Sequence, residues 1–231
     1  MSNKLHLSEL VGNRDINTQL TIANGAARLH NKAMGHILFS GLAGCGKTSS
    51  AKAIATLSEA PFFEIGAESI KTAEDLALLF RKFSEEGYDA YGEKTGTISS
   101  PIIFIDEAHR LSLKTEEMLG IAMENYTHTF VEGRGRNKRS TTVWVPEFTV
   151  ICATTKEGEL SKPFRDRFKF NFVFSSYTID ESKEIVALHV KRKKIAIDAE
   201  SVTAIAMRGR GTPRLLVKYL DSIHDSMVYM K

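Results

Sequence analysis

The sequence predicts an α/β fold: a parallel sheet with helices on both faces, an inserted β-hairpin and a small helical domain at the end. Three observations carry this. Short, continuously apolar runs recur along the chain, as strands covered on both faces require. Helical patterns separate those runs, the alternation expected of a doubly wound sheet. After Phe174 the strand-like runs stop and only amphipathic patterns follow. The chain has 231 residues, 42% hydrophobic and 26% charged, a balance that buries a core and argues against disorder.

Taken in order, the strand-like runs are 36–40 (HILFS), 62–65, 102–105 (IIFI), 149–153 (TVICA) and 170–174. Helical periodicity covers 48–57, 73–86 and 115–125 between them. One stretch departs from the alternation: 127–131 and 141–145 read as two strands enclosing 132–140, with two glycines and four basic residues, which predicts a hairpin. Past Phe174, the segment TIDESKE offers a threonine or aspartate N-cap with acids in the first turn, opening a helix over 180–194. Helices over 199–208 and 213–228 follow, the second with Pro213 in its first turn, where a missing N–H costs nothing. The boundary therefore falls between residues 1–174 and 175–231.

Composition excludes several classes. Two cysteines, Cys45 and Cys152, allow neither a disulfide framework nor a CxxC-type metal site and suit a reducing compartment. No apolar run approaches the roughly 20 residues of a membrane helix, and MSNKLHLSEL has no signal-peptide core. A cytoplasmic chain without membrane contact is expected. The net charge of +3 permits a nucleic-acid partner without arguing for one.

Gly41-Leu42-Ala43-Gly44-Cys45-Gly46-Lys47-Thr48 matches the phosphate-binding pattern GxxxxGK[ST] in full, after an apolar strand and before a helix. Such glycines let backbone N–H groups wrap phosphate oxygens, and the helix, here beginning Thr48-Ser49, points its positive end at them. Lys47 would reach the β and γ phosphates of ATP and Thr48 would ligate Mg²⁺. The run Ile102–Ile105 ends in Asp106-Glu107, and two carboxylates closing a buried strand need a reason. Mg²⁺ held by Asp106 and a water polarised by Glu107 supply one. Ala108-His109 completes the letters DEAH, which alone does not imply a DEAH-box helicase. Thr155 closes the 149–153 run and faces the same crevice if that strand lies beside the acidic one, within reach of the γ-phosphate or the water. Phe164-Arg165-Asp166-Arg167-Phe168 is basic and aromatic-flanked; a solvated turn with a local salt bridge is the plain reading of it.

Together, the strings GLAGCGKT, IDEAHRLS, FTVICATT, PFRDRF and RGRGTPRLL resemble the AAA+ ATPases, and among them the RuvB type of Holliday-junction branch-migration motor, over almost the whole chain. The resemblance implies that Val11 and Gly12 line the adenine, that Thr155 is the first sensor, and that Pro213 and Arg214 form the lid segment touching adenine and γ-phosphate. It also implies an arginine finger at Arg167, or at Arg165, entering a neighbouring subunit's site, and hence a homo-oligomeric ring, hexameric in the family. Lys47, Asp106, Glu107, Thr155 and Arg167 are thus the expected catalytic set, with Gly41, Gly44, Cys45, Gly46, Thr48 and Ser49 cradling the nucleotide.

Three departures bear on function. RuvB-type chains continue after the lid into a DNA-binding winged helix, whereas this sequence stops at Lys231, so a chain lacking that domain is expected. The P-loop lacks the family's two prolines. The hairpin tip carries Arg134, Arg136, Lys138 and Arg139, whereas the family's hairpin docks a partner protein mainly through apolar contacts. The tip is a candidate contact for DNA or a partner, a solvated loop being the alternative. A second basic cluster, 191–194, is explained by the helix dipole and a solvated face, or by DNA. The expected function is ATP-driven remodelling of DNA, branched DNA included, by a ring, or else placement of a partner protein on DNA by a clamp-loader or helicase-loader type ATPase. A regulatory subunit that hydrolyses ATP poorly is disfavoured by the intact Glu107, Thr155 and Arg167 set.

Overall fold

The computed structural model describes residues 5–85, 100–132 and 139–230. Five parallel strands form the central sheet: β1 (Ile37–Gly41), β2 (Phe62–Gly66), β3 (Ile102–Asp106), β6 (Thr149–Ala153) and β7 (Phe170–Phe174). Their order is β2-β3-β6-β1-β7, so the strand leading into the P-loop lies beside β6, which itself lies beside the strand ending in acids. Alternate residues of the apolar strands divide between two cores. Leu38, Ile103, Ile105, Val150 and Cys152 face α3 (Ala73–Glu85) and α4 (Leu113–Asn125), whereas Ile37, Phe39, Ile102, Phe104, Ile151 and Ala153 face α1 (Arg14–Leu29) and α2 (Lys47–Ser58). Burial on both faces is what makes these strands read as unbroken apolar runs. Each fully buried Leu, Ile or Phe contributes about 1.5–3 kcal/mol.

The sequence patterns place every strand to within a residue or two, but they do not announce α1. That helix presents only Ile16, Leu20 and Asn24 to the core, backed by Ala23 and Ala27. Asn24 sits where an apolar residue belongs, and its Oδ1 accepts the Ser58 hydroxyl of α2 at 2.8 Å. The helix is satisfied by a buried hydrogen bond at a position where a hydrophobic stripe is the usual signal.

The hairpin forms as expected, with β4 (Thr127–Glu132) antiparallel to β5 (Arg139–Trp144) in a sheet of its own. Arg139 is exposed and registers with Glu132; Arg134, Arg136 and Lys138 lie outside the described residues. A single turn, α5 (Lys162–Arg165), capped by the Ser161 hydroxyl, precedes β7. The helices α6 (Ile179–Lys193), α7 (Ala199–Arg208) and α8 (Pro213–Tyr229) then pack around Ile185, Val186, Ile205, Leu216 and Leu220, with Val11 and Tyr177 against them. Thr178 caps α6 and Glu181 returns the bond to the Thr178 N–H at 2.8 Å, a capping box. The 191–194 cluster is not a single patch, because Lys193 pairs with Asp221 of α8 and Arg192 turns to the cleft described next. No helix among the described residues is long and apolar enough to cross a membrane.

Candidate nucleotide site

At the carboxyl ends of β1 and β3, a cleft of about 290 Å³ is lined by Gly44, Gly46, Lys47, Thr48, Ser49, Asp106, Glu107, Pro213 and Arg214. It opens where such sheets bind ligands, outside the strand ends. The loop from β1 to α2 turns through left-handed backbone at Gly41, Gly44 and Gly46. At Gly44 a Cβ would also lie 2.9 Å from the Arg214 Cβ and from the Thr212 Cγ2, so the start of α8 packs this closely on the loop only over a glycine.

Lys47 opens α2 and is almost fully buried. Its Nζ donates to the carbonyls of Gly41 at 2.7 Å and Leu42 at 2.9 Å. Burial lowers the pKa of its ammonium, while Cys45, Glu107 and Asp106 oppose that shift. Cys45 is buried, and burial pushes its thiol pKa up, with the Lys47 charge opposing. Asp106 Oδ1 accepts the Glu107 N–H at 3.0 Å. Glu107 itself holds φ of 51°, left-handed backbone that a non-glycine residue adopts at a cost of order 1 kcal/mol. Glu107 lines the cleft, and its Oε2 lies 3.3 Å from the His109 Nδ1.

A second cleft of about 200 Å³ continues from the first, sharing Gly46, Ser49, Pro213 and Val217. Val11, Gly12, Tyr177, Ile185, Leu188, His189 and Arg192 are among its other walls, with Asn13 and Asn17 beside them. Lys47, Asp106, Glu107 and Arg214 put the charged groups at the loop end, while Leu5, Leu10, Val11, Ile185 and Leu188 give the far end apolar wall able to pack a base. Tyr177 joins the parts: its hydroxyl receives the Asn13 Nδ2–H at 3.2 Å and lies 3.4 Å from the Cys45 carbonyl, and its N–H donates to the Gly211 carbonyl at 2.9 Å.

The structure therefore brings together Val11, Gly12, Gly44, Gly46, Lys47, Thr48, Ser49, Asp106, Glu107, Pro213 and Arg214. Thr155 is exposed and lines neither cleft; its neighbour Thr154 is buried and bonded to His109. Arg165 and Arg167 also stand apart from both clefts. Arg167 donates to the Pro163 carbonyl at 2.8 Å, and its Nε pairs with Glu124 Oε1 at 3.0 Å. Tyr177, Ile185, Leu188 and His189 escape sequence reasoning because they line the site from segments that only tertiary packing brings to the P-loop; the last three have the α6 amphipathic pattern as their one local signal, and Tyr177, before that helix, has none. Thr48 and Asp106 offer a hydroxyl and a carboxylate, hard oxygens suited to Mg²⁺. The described residues hold no cluster of three or more His, Cys, Asp or Glu able to bind a metal alone, so these two donors fit an ion that takes its other ligands from phosphates and water.

Comparison with known proteins agrees with this geometry. Residues 3–174 match the family described as the Holliday junction DNA helicase RuvB P-loop domain. The chain is 31% identical over 223 residues to the Holliday junction branch migration complex subunit RuvB of Orientia tsutsugamushi, covering 96% of this chain and 64% of that protein. It is 36% identical over 218 residues to the subunit of the same name from Wolinella succinogenes, covering 94% and 61%. The structure of the Thermotoga maritima RuvB Holliday junction branch migration motor superposes with a TM-score of 0.79 at 26% identity, over 98% of this chain and 66% of that one. The chain thus spans under two thirds of the length of these curated relatives. With the fold, the P-loop cleft and the matched span in accord, the chain belongs to the RuvB P-loop domain family.

Proposed function

We propose that this chain is a RuvB-like ATPase that couples ATP hydrolysis to the remodelling of DNA, including branch migration, as a homo-oligomeric ring. In this reading residues 1–174 form the ATPase domain and 175–231 the lid, with the nucleotide between them. The observation that carries it is the convergence of Lys47, Thr48, Asp106, Glu107 and Arg214 on one cleft.

Lys47 would exchange its two loop carbonyls for the β and γ phosphates, and its burial strengthens that charge contact. Glu107 accepts a hydrogen bond from a water and holds it in line with the γ-phosphorus. Arg214 approaches from α8 and meets charge on the γ-phosphate, with Pro213 against the base. Arg167 would supply the neighbouring subunit's site with a further cation in the transition state. Thr48 and Asp106 would hold Mg²⁺, which when bound neutralises charge on the phosphates. Thr155, at the exposed end of β6, is read as the first sensor. DNA contacts would come from the basic hairpin tip at 134–139 or from a partner protein.

Two substitutions separate binding from chemistry. Lys47→Ala should weaken ATP binding at least about tenfold, whereas Glu107→Gln should keep ATP bound and slow turnover about 100-fold. Near-parental hydrolysis by Glu107→Gln would remove Glu107 from the mechanism. For the DNA half of the reading, four-way junction DNA should stimulate turnover above linear duplex of equal length; equal rates would count against branched DNA as the substrate.

A further inference from the structure

His109 closes the acidic motif, three residues past Asp106, in a single 3₁₀ turn spanning Ala108–Arg110. Its side chain is only 9% exposed. The Nδ1 atom lies 3.0 Å from Thr154 Oγ1 and 3.3 Å from Glu107 Oε2. Thr154 is 1% exposed, at the end of β6, and its Oγ1 already accepts the Lys156 N–H at 3.0 Å. One ring nitrogen is therefore placed between a strand-end hydroxyl and the carboxylate that lines the phosphate cleft.

Other buried histidines here do something different. His36 bonds the Met123 carbonyl and the Val150 N–H, and His128 bonds the Ala73 carbonyl, main-chain partners that fasten one element to another. His109 instead faces two side chains. A carboxylate has no proton to give, so contact with Glu107 requires a proton on Nδ1, which in the neutral ring is the Nδ1–H tautomer. That single proton cannot serve Thr154 and Glu107 fully at once. When Thr154 takes it, the Glu107 carboxylate is released; when Glu107 takes it, the carboxylate is drawn back toward the strand end.

We propose that His109 is a positioning residue whose Nδ1–H is shared between Thr154 and Glu107, so that the placement of the β6 strand end sets how much of the time Glu107 can orient water. The sequence marks Thr155 at this strand end, but the hydroxyl that reaches the carboxylate's partner is that of Thr154. This inference rests on Glu107 being the water-orienting group and names what controls it.

The test uses the full chain with His109→Leu, His109→Asn and Thr154→Val, set beside Glu107→Gln. Replacing an outer hydrogen-bond partner of this kind costs about ten-fold in activity. His109→Leu should lower kcat by about that factor while KM for ATP and the affinity for ADP stay within about two-fold. His109→Asn, whose amide can donate from nearly the same place, should recover a substantial part of kcat. In ¹⁵N NMR of the parent, the His109 ring should be the Nδ1–H tautomer, with its Nδ1 signal moved by Thr154→Val and by Glu107→Gln. Parental kcat in His109→Leu, with Glu107→Gln inactive, would overturn the role of His109 and leave the catalytic reading standing. An Nε2–H tautomer, or no recovery in a folded His109→Asn, would also overturn it. Normal turnover in Glu107→Gln would sink the underlying reading instead, and is a separate outcome.

Discussion

At the scale of single residues, the clearest consequences come from buried imidazoles. His36 receives the Val150 N–H on Nδ1 at 3.0 Å, so its proton sits on Nε2 and is donated to the Met123 carbonyl at 3.0 Å. Burial holds its pKa below the ordinary 6.5, with the Met123 bond opposing. His128 and His189 shift the same way, burial again being the largest cause. A folded pKa below the unfolded one means that the unfolded chain binds the proton more readily. Stability is then complete above the unfolded value and declines as pH falls through it. Thermal melting should be level from about pH 8 to 7 and fall from about pH 6.5 to 5, with a shallower fall in His36→Gln. The lowered carboxyls, Asp75, Asp198, Asp221 and Glu159, act in a separate window, losing their contribution only at more acid pH. A flat melting profile across the histidine window, or an unchanged slope in His36→Gln, would show that His36 is not held neutral.

At the scale of elements, legibility followed the kind of force that holds each one. Strands buried on both faces advertise themselves as apolar runs, and Thr149–Ala153 and Phe170–Phe174 are placed to the residue. The P-loop and the Asp106-Glu107 end of β3 are legible because phosphate and cation chemistry demand those residues at that spacing. Sequence reasoning singles out Thr155, whereas the buried hydroxyl is that of Thr154, since a one-residue difference in strand end decides which of the two turns inward. Helix α1 stayed hidden because one of its three inward positions is Asn24, paired with Ser58. That pairing makes a prediction. Asn24→Ala leaves the Ser58 hydroxyl with only the Ile54 carbonyl, 2.8 Å away, and opens a void beneath α1. Stability should fall by about 1–3 kcal/mol, measured by urea denaturation with an unchanged slope. Asn24→Leu, which restores apolar packing without the bond, should be no better if the hydrogen bond is what seats the helix; recovery to parental stability would assign α1 to packing alone.

At the scale of the whole molecule, the proposed ring would divide each catalytic site between the cleft of one subunit and the flank of its neighbour. Arg167 lies across α4 at Gly120, where a Cβ would come within 2.8 Å of Nε, and beside Glu124; its side chain is 21% exposed. That position is far from satisfying as a purely structural ion pair, because Glu124 is half exposed and such pairs contribute about 0–1 kcal/mol. In the proposed ring, Arg167, two residues past α5, would exchange Glu124 for the neighbouring subunit's site. Sequence motifs carried this expectation, yet no local pattern could show that the same guanidinium rests on Glu124, since the two residues are joined only by the packing of α4 against the turn that follows α5. If the finger acts in trans, Arg167→Ala should bind ATP with near-parental affinity and hydrolyse it about 10³-fold more slowly. Lys47→Ala should fail for the opposite reason, by losing the phosphates. Mixing the two inactive proteins creates subunit boundaries where an intact Lys47 meets an intact Arg167 of its neighbour, and part of the activity should return in proportion to the mixed boundaries formed. The control is a Lys47→Ala/Arg167→Ala double variant mixed with either single one, which creates no complete site and should stay inactive. Assembly is followed by light scattering alongside phosphate release. Mixed oligomers that form yet remain inactive would place Arg167 back on its own subunit, as a flank salt bridge with Glu124 and no part in the neighbouring site.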